Sequence, residues 1–308
     1  MPHHVDVRAD LPVLQELVAA WLADARIRVP NGVGLKIEVG VIEPFESASA
    51  ALMTQGRVLT YRDEDTRELT LVWADTLGRA TIAQGSTTAH VCLSEEGLLN
   101  ASEMLRSFLL NCCILLFQRA GMHHVHGAAL RDPTHRDWLI TGVSGSGKST
   151  TSALLARNGW LVGTDDIAFL AANEANDRTD LVAWRERLAL RADAVISTGH
   201  TGGMELTTRS KTGWFVEELG TEWIDRVTPS ILAFPTVRAD APTTASPLTA
   251  KQALFRVMEH SPWVYLQTDR AAEHLELMSR LVRQSRAFDL SLGRDIFTHP
   301  NRLMELVA

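Results

Sequence analysis

Two groups of residues in this sequence have the types and spacing that phosphoryl chemistry needs. The first is Gly142–Ser149, GVSGSGKS, a full match to G-x-x-x-x-G-K-[ST] with an apolar run before it and a helical pattern after it. Glycines in such a loop let successive backbone N–H groups point inward as an anion-binding nest. The helix that follows adds its positive N-terminal end. The candidate nucleotide contacts run through Gly142, Val143, Ser144, Gly145, Ser146, Gly147 and Lys148 to Ser149 and Thr150. Lys148 is the residue to reach the β- and γ-phosphates of ATP, and the Ser149 hydroxyl is the one to ligate Mg²⁺. The bland alternative, a glycine-rich turn that binds nothing, fits poorly with a complete match in this setting.

The second group is Asp165–Asp166, 17 and 18 residues after Lys148. One helix and one strand fit in that gap, so the pair is expected at the carboxyl edge of a sheet, beside the loop, where α/β proteins bind ligands. Two carboxylates there suit transfer to an alcohol. One can hold Mg²⁺, and the other can accept the proton of the attacking hydroxyl. The alternative is a pair that only caps a turn. Upstream, HHVHG raises a third question. His124 and His126 share a strand face, yet no further histidine or cysteine has convincing ligand spacing, so a zinc site is the weaker reading beside a structural or catalytic histidine.

The surrounding pattern supplies the elements that would carry these residues. Residues 11–26 read as an amphipathic helix through Leu11, Leu14, Leu17, Val18, Trp21 and Leu22. A strand-rich stretch follows, LKIEVGVIE, GRVLTYR, ELTLVWAD, RATIAQ and AHVCLS, short runs of which several alternate. From about Ser94 to Gly121 the pattern is helical. HHVHGAAL and DWLITG read as two strands, then come the loop, the helix KSTTSALLARNG and the strand WLVGTDD. Residues 171–228 read as polar and irregular, with a mobile STGHTGGMELTTRSKTG. SILAFPTV reads as a core strand. Thr249 and Gln252 form a capping box for the next helix, and a longer helix is expected at about 268–288. The division expected is a β-rich N-terminal unit with a leading helix, residues 1–95, and an α/β catalytic domain, residues 96–308.

Composition narrows the function classes. The chain has 308 residues, 45% of them hydrophobic and 22% charged, enough for a core without staples. A net charge of −7 argues against non-specific nucleic-acid binding. Three cysteines, two of them adjacent, form neither a disulfide framework nor a zinc set and suit a reducing cytoplasm. The N-terminus lacks the pattern of a signal peptide, and FLLNCCILLF is too short to span a bilayer. No membrane association is expected. A guanine-reading N-K-x-D is absent, and LSLGRD is a poor match to the signature of ABC-type ATPases.

Together, VHGAAL, WLITGVSGSGKSTTSALLARNGWLVGTDDIAFL and their order resemble the catalytic domain of the HPr kinase/phosphorylase family. The likeness rests on His126-Gly127, Leu139–Ser149, Asn158-Gly159 and Asp165-Asp166, and covers about 45 residues strongly. It implies a P-loop α/β fold related to phosphoenolpyruvate carboxykinase. By resemblance, Asp166 is the base toward a substrate serine, His126 its orienting partner and Asp165 the metal-side carboxylate. FPTVRAD offers Arg238 as the counterpart of a phosphate-binding arginine. The family's glycine- and arginine-rich signature after the aspartates is not recognisable here, and the first 95 residues do not resemble its usual partner domain, so HPr itself is not the expected substrate. The expected function is an ATP- and Mg²⁺-dependent kinase acting on a hydroxyl, foremost a serine of a peptide or protein. A small-molecule kinase for an amino acid or sugar, and a non-catalytic nucleotide-sensing module, are the competing readings. A homo-oligomer is left open.

Overall fold

The computed structural model describes residues 4–30, 32–47, 49–99, 103–206 and 211–308. The described residues form a mixed α/β structure with several sheets and eight α-helices. They fall into two compact units. Unit 1 comprises the chain to Met122 together with Tyr265–Arg270; unit 2 comprises His123–Val264 and Ala271–Ala308.

Unit 1 is built on a seven-stranded sheet. Its spatial order is Asp6–Ala9, Gly34–Val39, Thr88–Leu93, Gly78–Ile82, Leu69–Trp73, Val58–Arg62 and Met53–Gln55. Each of the five short runs expected as strands contains one. The two outermost strands are only four and three residues long and gave no alternation to read. The leading helix spans Pro12–Asp24 and buries Leu14, Val18 and Leu22, one side at i, i+4, i+8. Within the helical run expected from Ser94, the described helices are Glu95–Leu99 and Glu103–Arg119; residues 100–102 lie outside the described residues. The second of these helices is apolar nearly all round because Asn111–Phe117 are all buried, and Phe108 stacks on Trp73 with ring centroids 5.6 Å apart. Among the described residues no helix is long and apolar enough to cross a membrane.

Unit 2 centres on a six-stranded sheet with the order Leu161–Thr164, Ala128–Arg131, Asp137–Ile140, Ile231–Val237, Arg286–Leu292, Thr244–Pro247. The middle strands are parallel and covered on both faces, which explains their unbroken apolar runs. Trp138 and Ile140 join the helix Lys148–Ala156 and Trp160 in one core cluster. Leu139 points the other way, into a cluster with the helices Ala250–Glu259 and Ala271–Arg283. The capping box forms as expected: the Gln252 N–H donates to the Thr249 hydroxyl and the Thr249 N–H to the Gln252 side chain.

Three expectations are revised by the structure. HHVHGAAL is not one strand. His123–His126 pairs with Ile167–Asn173 in a four-stranded sheet, while Ala128–Arg131 belongs to the six-stranded sheet. The stretch 171–228 is largely ordered, with strands Arg178–Ala183 and Leu188–Leu190 and a helix Ala192–Thr198. It reads as irregular because its core is partly polar: Asp180 is buried and satisfied by Asn173, Thr228 and Arg226. Of the stretch expected to be mobile, residues 207–210 lie outside the described residues. Finally, the helix expected at 268–288 stops at Arg283, and Arg286–Leu292 is a strand parallel to Ile231–Val237.

Candidate active site

The candidate site is assembled where two segments pass from one sheet to the other. The first segment crosses at Gly127, between His123–His126 and Ala128–Arg131; the second crosses at Asp165–Asp166, between Leu161–Thr164 and Ile167–Asn173. The two are antiparallel, with Ile167 opposite His126 and Ala129 opposite Thr164. The Gly127 N–H donates to the Asp166 carbonyl at 3.0 Å across the bend. The Thr164 hydroxyl accepts from the N–H groups of Asp166 and Ile167, and the Thr141 hydroxyl donates to the His126 carbonyl at 2.6 Å. Gly127 is required sterically: a Cβ there would lie 2.8 Å from Leu139 Cδ1 and 2.9 Å from the Ile140 carbonyl oxygen.

This arrangement fixes which residues meet. Leu161–Thr164 runs in the same direction as Asp137–Ile140, with Ala128–Arg131 between them and antiparallel to both. The ends of those two strands and the start of the third therefore share one sheet edge. The glycine-rich loop leaves that edge after Ile140 and enters the helix Lys148–Ala156. Gly145 and Gly147 have φ of +85° and +97°, values a side chain resists. The Lys148 ammonium donates to the carbonyls of Gly142 (2.6 Å) and Val143 (3.2 Å). Burial pulls its pKa below the ordinary lysine value, against the pull of Asp166 and Asp165.

A cleft of about 780 Å³ opens over this edge. Within the loop and helix start, it is lined by Ser144, Gly145, Gly147, Lys148, Ser149 and Thr150; Asp165, Asp166 and His126 join them. His126 Nδ1 lies 2.7 Å from Asp166 Oδ1, with both side chains partly exposed. Asp165 is buried and bonded by the Ser149 hydroxyl. Burial, then the neighbouring Asp166 charge, push its pKa up to about 6. Of the remaining loop residues, Gly142 and Val143 present their carbonyls to Lys148, and Ser146 is buried with its hydroxyl unpartnered among the described residues.

Arg238 is exposed, and its neighbours Val237 and Ala239, rather than Arg238 itself, line the cleft; its backbone N–H donates to the Leu292 carbonyl at 2.8 Å. The cationic side chains that do line the cleft, besides Lys148, are Arg187, Arg191, Lys211 and Arg294. Lys211 acts electrostatically on both Asp165 and Lys148. None of these four stands in a local motif; they reach the cleft from three separate segments, Arg187 and Arg191 from one, Lys211 and Arg294 from two others.

The other histidines of the HHVHG run serve packing. His123 tilts against His274 at 4.6 Å between ring centroids, and His124 stands edge-on to Phe169 and Trp263. No group of three or more His, Cys, Asp or Glu side chains placed to hold a metal ion occurs among the described residues.

No protein-family model matches this sequence, and no curated protein does. Among solved structures, the Hpr(Ser) kinase/phosphatase from Coxiella burnetii is similar in part: the TM-score is 0.34 at 11% identity, over 59% of this chain and 88% of that one. That likeness is slight, and the chemistry of this cleft stands on its own residues.

Proposed function

We propose that this chain is a kinase that uses ATP and Mg²⁺ to phosphorylate a hydroxyl, a serine of a peptide or protein. The observation that carries the proposal is the convergence of Asp165, Asp166 and His126 on the N-terminus of the helix behind a complete G-x-x-x-x-G-K-S loop. A motor ATPase or nucleotide sensor has no need of a carboxylate–histidine pair open to the same cleft as the phosphate loop. The cleft volume suits a nucleotide, since small-molecule sites span roughly 300–1,000 Å³.

The residues fit a divalent cation. Ser149 and Asp165 form a hydroxyl–carboxylate pair of hard oxygen donors, and Asp165 is raised in pKa where a cation would favour its ionised form. Bound by these two residues, Mg²⁺ would supply positive charge against the phosphates. Lys148 supplies a second positive charge at the loop. Asp166 accepts the acceptor's hydroxyl proton. His126 Nδ1, 2.7 Å from Asp166 Oδ1, orients that carboxylate toward the cleft it shares with the loop.

The test is label transfer from [γ-³²P]ATP with Mg²⁺ to a serine-containing peptide library, beside free L-serine and simple sugars. Labelled phosphoserine peptide is expected, and Lys148→Ala should abolish it while the circular dichroism spectrum is unchanged. Label on the free hydroxyl compounds alone would replace the peptide acceptor with a small molecule. Absence of nucleotide binding, or unchanged transfer by folded Lys148→Ala, would remove the loop from the function.

A further inference from the structure

Unit 1 contains a pocket of about 280 Å³ that nothing in the kinase reading uses. Three arginines line it: Arg62 at the end of the strand Val58–Arg62, Arg67 in the turn that follows, and Arg119 at the end of the helix Glu103–Arg119. Their hydrogen bonds go to neutral oxygens. Arg62 donates to the Leu266 carbonyl at 3.4 Å and Arg67 Nη2 to the Thr268 hydroxyl at 2.8 Å. Arg119 Nε donates to Gln267 Oε1 at 2.7 Å, and its Nη1 to the carbonyls of Ala83 and Ser86. Among the described residues none of the three makes an ion pair, in a chain with 37 acidic residues. The one acidic side chain on the pocket, Asp269, is exposed.

Three like charges around a single exposed carboxylate are unfavourable, and the more so for a half-buried guanidinium. Burial lowers the Arg119 pKa, and the Asp269 carboxylate opposes the shift only in part. The pocket is nevertheless built with care. Arg67 takes a left-handed backbone, φ +59°, in a turn pinned by Asp63, whose carboxylate accepts from the Thr66 N–H and hydroxyl. Gln267 is buried and donates to the Leu115 carbonyl, which turns its oxygen toward Arg119. Each guanidinium carries five N–H donors, so several remain for a ligand. A pocket of this size falls just below the range for drug-sized ligands and admits only a compact molecule.

We propose that this pocket is an oxyanion site that takes inorganic phosphate or the phosphate group of a compact ester, held in the forks of Arg62 and Arg67 against Arg119. Planar guanidinium forks match phosphate oxygens in pairs, which a lysine cannot do.

The glycine-rich loop of unit 2 also attracts phosphate, so the test uses the full chain carrying Lys148→Ala. Calorimetric titration of this variant with inorganic phosphate is expected to show one site, and phosphate should raise its melting temperature. Adding Arg62→Gln and Arg67→Gln should weaken binding by about tenfold or more, the loss expected for charge-assisted hydrogen bonds. Without phosphate, the same two substitutions should leave the melting temperature unchanged or raise it, because repulsion is relieved. Arginines that only latch Leu266 and Thr268 would instead lower it. If the triple variant fails to fold, Arg67→Lys keeps the charge, loses the fork and should still weaken phosphate. A parallel titration with glycerol 3-phosphate separates the sources, since tighter binding of the ester assigns the site to a metabolite and tighter binding of phosphate to the free ion. Absence of phosphate binding by the Lys148→Ala chain, or equal binding after the arginine substitutions, would overturn the proposal.

Discussion

At the scale of residues, the candidate site depends on one glycine as much as on its carboxylates. Asp165, Asp166 and His126 face one cleft because two segments turn together from one sheet into the other, and Gly127 lets them cross without a clash. Gly127→Ala would drive a methyl into Leu139 and the Ile140 carbonyl. It is expected to cost about 1–3 kcal/mol, the range for overpacking a well-filled site, and to depress catalysis beyond the stability loss by shifting His126. Chemical denaturation and steady-state kinetics on the same variant check both effects; an unchanged midpoint would show that the crossing tolerates a side chain. The candidate residues that line the cleft could be read from the sequence because their cues are local, an eight-residue loop, an aspartate pair and a His-Gly step, whereas Arg238, read from a short match, does not line it. The reason for the His-Gly step was not legible, because the atoms that forbid a side chain come from Leu139, Ile140 and Thr141, outside the motif.

At the scale of elements, the strand His123–His126 and the helix Ala271–Arg283 share a buried histidine contact that sets an acid limit on unit 2. His274 and His124 are held neutral by burial, which lowers their pKa values to about 4 and about 3. Both folded values lie below the unfolded histidine value of 6.5. Between those limits the unfolded chain binds more protons, so stability is complete above pH 6.5 and falls as the pH drops toward 4. His126 and Asp166 beside His124, and His123 and Glu273 toward His274, are the neighbouring titratable groups. A plot of melting temperature against pH is expected to decline over that window, and His274→Phe should make the decline shallower. Identical slopes for the two proteins would remove His274 as a cause. The elements themselves were legible to different degrees. The Thr249–Gln252 cap and the alternating strands of unit 1 could be read directly. Arg286–Leu292 could not, because Arg286, Asp289 and Ser291 blur its period and its pairing with Ile231–Val237 is non-local. The walls of the cleft were hidden for the same reason: Arg187, Lys211 and Arg294 meet only through tertiary structure.

At the scale of the whole molecule, the two units suggest where the chain can be cut. Phe108 and its neighbours on Glu103–Arg119 belong with unit 1, where Phe108 stacks on Trp73. A truncation that removes residues 1–95 strips that cover and is expected to aggregate. One that begins at His123, with 265–270 replaced by a short turn, should stay soluble and retain ATP binding. Size-exclusion chromatography of both truncations decides this, and a soluble monomer from the first would show that the helix needs no cover from unit 1. The functional reading itself reduces to a division of labour between two adjacent carboxylates. Asp166, bonded to His126, is expected to take the hydroxyl proton; Asp165, buried beside Ser149, is expected to serve Mg²⁺. The most direct measurement is kcat, with its Mg²⁺ dependence, for Asp166→Asn and Asp165→Asn against the parent chain. The expected result is a loss of roughly 10²–10⁴ in kcat for Asp166→Asn at little-changed nucleotide affinity, and a raised Mg²⁺ requirement for Asp165→Asn. If neither variant changes either quantity, the pair only turns the chain, and phosphoryl transfer to a hydroxyl is contradicted.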